Sequence, residues 1–568
     1  MGAEKRCEEL WRWRGQRGGG GCHIAVGRIC IKTAGIPAIK VFRSHILVGN
    51  CKLSTIPPFN TVKMMRTSAI IAYTAATLLT GAAAASSSTT AIAATCSSTL
   101  TASYAAPSVA SGYVARLVAN NLTKPRGIMF DSNGALLVVE QNVGITALTL
   151  ADAGQGCLSV ASRKTVINDS TLNHGIELSS DGATLYASSP ESVYSWSYSA
   201  QSQTNTSSPK TLVSNMTTSD HTTRTLLLPQ HAPGLLVVTR GSTANIDPLA
   251  EDITTGHSQI KAFNLTNQTS TPYDFDTAGL LLGWGLRNDV GIAEEPLSGG
   301  LYSVENSVDQ MTRLGVDIHQ NNPGEEMNFL GYLNGTYSPN QGRNFGYPEC
   351  YAAWNVSAIP EFNGTVGMQF AIGSLNSTDN DTTCDAANRQ APRLTFQAHM
   401  APLDILFNSA GTAAWVTFHG SWDRTDPVGY KLSVVEFANG DAVQASDSLT
   451  AAVDIVTNAN QSACPTGCFR PVGLAWDKAG RLFMSSDATG EVYAILRDDG
   501  SQVSAAGSNA TGTIPSATAS SGSGTSGGAS STASATAKSG AESVRMGLRG
   551  VVGGGLAVVG GLLAFAML

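Results

Sequence analysis

Lysine and arginine are scarce through most of this sequence. Residues 64–568 carry 24 Lys and Arg against 39 Asp and Glu. Proteins that bind nucleic acid need basic side chains to neutralise phosphates, so this acidic balance argues against a nucleic-acid partner. Residues 1–63 have the opposite balance, 11 against 3, but they show no clear strand or helix period and hold no Asn-x-Ser/Thr sequon. We interpret residues 1–63 as a non-native upstream extension or as a disordered leader.

Cysteine is also infrequent. Four of the ten cysteines fall in residues 1–63, and six remain, at positions 96, 157, 350, 384, 464 and 468. An even number in an oxidising compartment predicts three disulfides. Pairing of neighbours gives 96–157, 350–384 and 464–468, while sequence alone leaves fifteen connectivities open. Metal binding by Cys464 and Cys468 is disfavoured, because no His or Cys partner stands near them.

Both ends of the acidic part carry targeting patterns. Residues 64–85 start with methionine and arginine and continue with an apolar run and small residues, the order of a secretory signal peptide. Residues 499–541 form a Ser/Thr/Gly-rich stalk, and 542–568 have the spacer and apolar tail of a GPI-anchor signal, with a transmembrane helix as the alternative. Thirteen sequons fall within residues 86–541. We therefore expect a secreted glycoprotein held at the cell surface by a lipid anchor.

A short phrase with a glycine, apolar residues and a turn recurs six times. The copies start at Pro125, Asn173, Leu226, Leu286, Pro402 and Arg470. Each copy fits two short strands joined by a tight turn, and repetition at this spacing is typical of propeller blades. The fold class is therefore predicted to be all-β, a six-bladed β-propeller over residues 96–498. One spacing is about twice the others, which predicts a long insertion between blades four and five.

Basic and imidazole side chains occur near the start or end of these copies. Loops that enter the inner strands of a propeller surround one end of a central channel, so these side chains should converge there. A basic pocket on a rigid scaffold favours a small polyanionic ligand. The residues are Arg126, His174, Arg240, Arg287 with Asn288, His419 and Arg470.

Seven phrases in one order resemble a known family. They include the segments 172–175, 285–288, 303–306, 321–328, 344–348, 418–422 and 469–473. Together they resemble the soluble quinoprotein glucose/sorbosone dehydrogenase superfamily, and most closely the fungal pyranose dehydrogenases that depend on pyrroloquinoline quinone (PQQ), also described as L-sorbosone dehydrogenase-like. The resemblance spans residues 96–498. It implies PQQ and calcium as cofactors.

The resemblance also implies roles for single residues. His174 takes the place of the general base, Arg287 and Asn288 lie near the reactive quinone carbonyl, and Arg470 contacts the cofactor carboxylates. Calcium falls near Glu305 and Asn306, although the bacterial enzymes have Gly-Pro where this chain has Asn306 and Ser307. Side chains with oxygen atoms in the same region are further candidates for binding calcium. Other candidates for the cofactor pocket are named from their position in the repeats alone. The added metal candidates are Asn322, Glu325 and Glu326, and the added cofactor candidates are Arg126, Arg240, His399, His419, Trp422 and Lys431.

The implied activity is oxidation of the anomeric carbon of pyranoses or sorbosone-like aldoses, with hydride transfer to the quinone. The substrate is then a monosaccharide or an oligosaccharide. The electrons pass to an external acceptor, for which relatives use cytochromes or copper oxygenases. Two alternatives stay open: a calcium-dependent hydrolase of the lactonase type, and a non-catalytic propeller that binds carbohydrate.

Overall fold

The computed structural model describes residues 6–8, 29–31, 95–97, 100–373 and 380–505. The chain divides into two units, Met1–Ala85 and Ser86–Leu568. In the first unit, Arg6–Glu8 pairs antiparallel with Ile29–Ile31, a short strand pair where the sequence showed no strand period. The predicted signal peptide, most of the stalk and the predicted anchor signal lie outside the described residues.

Six sheets in the second unit form the blades of a β-propeller, as predicted. Their inner strands are neighbours in a closed ring, each beside those of the preceding and following blades. The strands, from the inside outwards, are Pro125–Phe130, Leu136–Glu140, Gly144–Asp152 and Leu158–Asn168 in blade one; Ile176–Leu178, Thr184–Ser188, Val193–Ser199 and Lys210–Ser214 in blade two; Leu226–Leu227, Leu235–Arg240, Gln259–Asn264 and Leu280–Trp284 in blade three; Asp289–Glu294, Gly300–Glu305, Glu325–Tyr332 and Leu394–Phe396 in blade four; Pro402–Phe407, Ala413–Phe418, Lys431–Ala438 and Ala452–Thr457 in blade five; and Pro471–Trp476, Leu482–Ser486, Glu491–Arg497 and Tyr113–Ala119 in blade six.

The ring is closed by a strand from the beginning of the propeller. Tyr113–Ala119 pairs antiparallel with Glu491–Arg497 and so completes the last blade. Because the outermost strand of blade six comes from the other end of the domain, the two ends of the propeller are tied by backbone hydrogen bonds.

The remaining elements are short strands and 3₁₀ helices. They are the strands Ser108–Val109, Thr204–Asn205, Tyr273–Asp274, Thr312–Arg313, Val316–Asp317, Arg343–Asn344, Cys350–Ala352, Gln369–Ala371 and Asp441–Ala442, and the 3₁₀ helices Pro248–Glu251, Ile253–Thr255, Leu265–Asn267, Val356–Ala358 and Gln461–Ala463. In the part of the chain that the structure describes, no helix has the length and apolar character needed to span a bilayer.

The extra residues of the long repeat lie inside blade four. Its third strand ends at Tyr332 and its fourth begins at Leu394, so most of the insertion separates these two strands. The connection from blade four to blade five, residues 397–401, is itself short. The repeated phrase marks only the two inner strands of a blade, which is why the sequence could not place the insertion relative to the outer strands.

Glycine in the repeated phrase has a packing role. A Cβ on Gly127 of blade one would lie 2.3 Å from the carbonyl oxygen of His174 in the next blade. The same holds for Gly175 against the carbonyl of Arg224 at 2.2 Å, and for Gly473 against that of Arg126 at 2.5 Å. Neighbouring inner strands therefore approach backbone to backbone, and only a residue without a side chain fits between them.

The apolar core lies between neighbouring sheets. Leu136 and Val138 of blade one pack with Phe483 and Ala494 of blade six, and equivalent layers separate the other blades. Three disulfides confirm the pairing of neighbours, Cys96–Cys157, Cys350–Cys384 and Cys464–Cys468.

Replacing Gly127 with alanine tests the close approach of the inner strands. The added methyl group would overlap a backbone carbonyl that cannot rotate away, so we expect the free energy of unfolding to fall by ~1–3 kcal/mol. Gly467→Ala is the control, because its Cβ would lie 3.1 Å from both the Cβ and the carbonyl oxygen of Ala463, against 2.3 Å from a carbonyl oxygen for Gly127, and its stability should stay within about 1 kcal/mol of the parent chain. Urea denaturation of both variants gives the comparison. Equal stability of Gly127→Ala and the parent chain would contradict this packing.

Candidate functional site

The end of the channel at which the inner strands begin collects polar loops from every blade. Inner and second strands of a blade are antiparallel, so the residues before each inner strand and after each second strand lie at this same end. We call it the upper end. Most of the predicted site residues occur here, and the structure arranges them in two groups.

The first group surrounds a carboxylate that the sequence analysis missed, Asp487. Its Oδ2 is 2.7 Å from Nη1 of Arg126 and its Oδ1 is 2.8 Å from Nε2 of His419. Arg470 donates to the backbone oxygens of His419 at 3.1 Å and Gly420 at 2.7 Å. Three blades, numbers one, five and six, thus meet at one acidic side chain. We call Arg126, His174, His419, Arg470 and Asp487 the Asp487 group.

Electrostatics keeps both imidazoles of this group neutral. Burial and the charge of Arg126 hold the pKa of His174 well below its ordinary value. Burial and the charge of Arg470 lower the pKa of His419 to about 4, although Asp487 acts in the opposite direction. Burial alone would raise the pKa of Asp487, but His419 and Arg126 hold it well below its ordinary value. Near neutral pH the group therefore has two guanidinium cations, one carboxylate and two neutral imidazoles.

The second group is centred on Arg287. Its Nε donates to the backbone oxygen of Asn245 at 3.0 Å, and its Nη1 to that of Asn306 at 3.1 Å. Its Nη2 donates to Oδ1 of Asn245 at 2.7 Å and is 3.0 Å from Oδ2 of Asp309. A guanidinium held on every side in this way is fixed in orientation, which is what a preorganised electrostatic site requires.

A candidate cation site adjoins Arg287. Asp309, His399 and Asp423 each offer a ligand atom, and these atoms lie within 4.8 Å of one another. Nε2 of His399 is 2.5 Å from the backbone oxygen of His319, so Nε2 carries a proton and Nδ1 faces the two carboxylates, 3.7 Å from Asp309 and 3.4 Å from Asp423. Burial and the neighbouring Asp309 raise the pKa of Asp423, against the effect of His399. Carboxylate oxygens suit a hard divalent cation such as calcium.

The metal ligands predicted from sequence do not all meet at one point, although Glu305 and Glu326 lie opposite each other on neighbouring strands, where burial and mutual repulsion raise the pKa of Glu305. Glu305 accepts from the backbone nitrogen of Arg287 at 2.6 Å, and Glu325 from those of Ser307 at 2.7 Å and Ala401 at 3.2 Å. Asn306 donates to the backbone oxygen of Pro402 at 2.6 Å. These side chains hold the loops of blades four and five instead of pointing to a shared centre.

The other two predicted ligands also have structural partners or neighbours. Asn322 accepts from the backbone nitrogens of Trp354 and Asn355 at 2.9 and 3.1 Å. Glu326 is buried opposite Glu305 on the neighbouring strand, and burial raises its pKa to about 8. Among the described residues, the ligand atoms of Asp309, His399 and Asp423 lie within 4.8 Å of one another, so we place the candidate cation site there, and the set predicted from sequence stays a prediction.

Two cationic residues predicted to bind the cofactor have their charge engaged elsewhere. Arg240 is 2.5 Å from Asp276 and stacks on Phe275, with 5.6 Å from its guanidinium carbon to the ring centre. The preceding Thr239 accepts from the backbone nitrogen of Thr225, the residue just before the inner strand of blade three, at 3.0 Å. Lys431 is 2.8 Å from Asp454 and lies over the ring of Phe418. Arg240 and Lys431 thus join neither group, and their assignment to the cofactor stays a prediction.

Trp422 is the exposed member of the predicted set. It stands between Ser421 and Asp423, on the loop that links His419 of the Asp487 group to the candidate cation site, and 38% of its surface is accessible. An exposed indole at this rim offers a flat apolar surface to a ligand that enters the upper end.

Several buried polar atoms at the upper end have no hydrogen-bond partner within the described residues. They are Nδ1 of His174, Nδ2 of Asn288, Nδ1 of His419 and both carboxylate oxygens of Asp423. A buried polar group without a partner costs about 1–3 kcal/mol, so atoms of this kind that face one polar end of the channel suit a ligand that completes them. Arginines and an amide donor suit an anion with carboxylates, and the oxygens of Asp423 suit a cation.

Two of the acidic residues of the site, Asp309 and Asp487, occupy positions that the repeats mark in the sequence. Asp487 and His419 each follow the second strand of their blade, and Asp309 follows that of blade four. Examining the ends of all second strands, as well as the starts of the inner ones, would have identified Asp309 and Asp487. Asp423 lies in a longer loop, and its approach to His399 has no signal in the sequence.

Comparison with known proteins identifies the family to which the chain is similar. A family model described as TrAA12-like matches residues 107–498. The chain is 50% identical over 405 residues to a pyrroloquinoline quinone-dependent sugar dehydrogenase of Hypocrea jecorina (strain QM6a), covering 70% of this chain and 91% of that protein. It is 38% identical over 413 residues to a pyrroloquinoline quinone-dependent pyranose dehydrogenase of Coprinopsis cinerea, covering 69% of this chain and 55% of that longer protein.

A solved structure similar across the propeller also shows this relation. It is the calcium structure of the Trichoderma reesei member of Carbohydrate-Active Enzymes Family AA12, with 50% identity and a TM-score of 0.69, covering 71% of this chain and 99% of that one.

Removing one carboxylate from the candidate cation site should weaken cation binding. We expect Asp423→Asn to lower the affinity of the protein for Ca²⁺ by about tenfold or more, because ligand charge sets affinity at such sites. The measurement is isothermal titration with calcium alone, supported by the rise in melting temperature that a bound ion produces. Asp276→Asn is the control, since its carboxylate pairs with Arg240 outside both groups. Equal calcium affinity in all three proteins would remove the cation from this site.

Proposed function

Because the chain belongs to the TrAA12-like family, we propose that it is a PQQ-dependent dehydrogenase that oxidises sugars at the anomeric carbon. The observation that carries the proposal is the convergence of Arg126, Arg287 and Arg470 with His174 at the upper end, beside buried polar atoms that lack partners. The two relatives named as PQQ-dependent sugar and pyranose dehydrogenases are 50% and 38% identical to this chain over the aligned residues.

The residues present fit such a cofactor. Arg126 uses Nη1 for Asp487, so its remaining N–H groups can bind a carboxylate, and Arg470 lies beside it. Asn288 offers an unpaired Nδ2 donor. Asp309, His399 and Asp423 would hold the calcium ion. When bound, the quinone supplies the redox chemistry by accepting hydride from the sugar.

This chain's own residues would handle charge and protons. The neutral imidazole of His174 can accept the proton of the anomeric hydroxyl, since burial and Arg126 keep it unprotonated. Arg287, fixed by Asn245, Asn306 and Asp309, places a permanent positive charge where negative charge develops. Trp422 at the rim would cover the sugar ring and limit access of water.

The finer assignments are part of the same proposal. The substrate class is a monosaccharide or oligosaccharide in the pyranose form or a related aldose. Electrons would leave through an external acceptor such as a cytochrome or a copper oxygenase. The first test is reconstitution of the protein with PQQ and calcium, followed by absorbance and by sugar-dependent reduction of a dye. Absence of both signals would contradict the proposal.

Two substitutions separate proton transfer from cofactor binding. We expect His174→Ala to keep the quinone bound while turnover falls by about 10²–10⁴-fold, the usual effect of losing a positioned base. Arg470→Ala should act mainly on quinone affinity, so excess quinone should restore its turnover but not that of His174→Ala. His231→Ala is a matched control, because this histidine lies in the hairpin at the opposite end of the channel. If His174→Ala keeps near-normal turnover at saturating quinone, the base is another residue, with His399 and His419 next.

We also propose that the protein is exported and held at the cell surface by a lipid anchor. Three disulfides in the propeller support an oxidising compartment, and the signal and anchor patterns of the sequence support the route. Treatment of intact cells with a phospholipase that cleaves GPI anchors should release active protein into the medium. Retention on the cells, with release only by detergent, would favour a membrane-spanning tail.

A further inference from the structure

Asp487 of blade six connects blades one and five at the upper end. Its two carboxylate oxygens have separate partners, His419 at 2.8 Å and Arg126 at 2.7 Å. We propose, on the premise of the sugar dehydrogenase function above, that Asp487 is a positioning residue that holds His419 as a hydrogen-bond acceptor for a sugar hydroxyl.

The first step of the argument concerns the tautomer of His419. An ionised carboxylate can only accept hydrogen bonds, so the neutral imidazole must place its proton on Nε2, which faces Asp487. Its Nδ1 then keeps a lone pair. That Nδ1 is buried and has no partner within the described ranges. Asp487 therefore leaves Nδ1 of His419 able only to accept a hydrogen bond.

The second step concerns which ligand group can meet this lone pair. The carboxylates and carbonyls of the quinone are acceptors and cannot pair with it, whereas the arginines and Asn288 can donate to them. The pyrrole N–H is the one donor of the oxidised cofactor, and pairing of that group with His419 would appear as a loss of quinone affinity in His419→Gln. A sugar presents O–H groups that donate. His419 and the exposed Trp422 belong to the same loop, so the acceptor stands close to the surface that would cover a sugar ring.

A purely structural role makes different predictions. If Asp487 only connected blades five, six and one, it would stabilise the ring. Its loss would then lower the stability of the protein and its affinities for cofactor and sugar together. As a positioning residue, its loss mainly affects the sugar. Replacement by asparagine also removes one negative charge beside Arg126, so the affinity for a polyanionic quinone should stay the same or rise.

The experiment compares Asp487→Asn with the parent chain and with Asp477→Asn. Asp477 lies in the same blade and is 2.6 Å from Arg481, but in the hairpin at the opposite end of the channel. Nitrogen NMR of histidine-labelled apo-protein reports the tautomer of His419. Quinone titration reports cofactor affinity, and steady-state kinetics at saturating quinone report kcat and KM for the sugar.

We expect Asp487→Asn to lose the single Nε2–H tautomer, to keep or gain quinone affinity, and to raise the KM for sugar by about tenfold, the effect of one lost hydrogen bond to a buried acceptor. Asp477→Asn should change only stability. His419→Gln provides a second route that leaves the Asp487–Arg126 pair in place, and it should reproduce the rise in KM without loss of quinone affinity.

Three results would overturn the proposal: an unchanged tautomer in Asp487→Asn, parallel losses of stability and of both affinities in that variant, or a normal KM in His419→Gln. Failure of the parent chain to bind quinone would contradict the proposed function instead. The tautomer measurement on apo-protein distinguishes the two cases, because it needs no cofactor.

Discussion

The close approach of the six inner strands is the constraint on which the rest of the structure depends. Gly127, Gly175 and Gly473 each face the backbone of the next blade, with no room for a side chain. This approach sets the width of the channel and the positions of the loops above it. Asp487 of blade six can then reach Arg126 of blade one and His419 of blade five within hydrogen-bond distance. The repeated glycines therefore determine both the fold and the dimensions of the site.

Charge in the site is arranged as pairs. The sequence suggested a ring of free cations, but Arg126 pairs with Asp487 and Arg287 with Asp309. Burying a guanidinium without a carboxylate partner would be costly, because its charge would lie uncompensated in the protein interior. Pairing reduces the net positive field and fixes the orientation of each guanidinium. Ligand recognition then depends on the donors and acceptors left over, such as Asn288 and His174, more than on bulk charge.

Much of the fold could be predicted from the repeated phrase, because two inner strands and a tight turn recur in every blade. The outer strands share no common phrase. The insertion was therefore predicted between blades four and five, whereas it lies between the third and fourth strands of blade four. The same limit applies to the site. The structure places His174, His419 and Arg470 at the upper end, where the start of each inner strand and the end of each second strand meet. Arg240 ends the second strand of blade three at the same end but joins neither group, because its guanidinium pairs with Asp276.

By itself, the sequence determined the all-β class, six blades, the pairing preference of the cysteines and the family, because periodic patterns and ordered phrases are local. Only the tertiary structure decided which charges meet. Asp309, His399 and Asp423 come from three separate segments, and Asp487 contacts residues 361 and 68 positions away. Such contacts depend on closure of the ring and on the direction of each side chain, and neither is encoded in a short stretch of sequence.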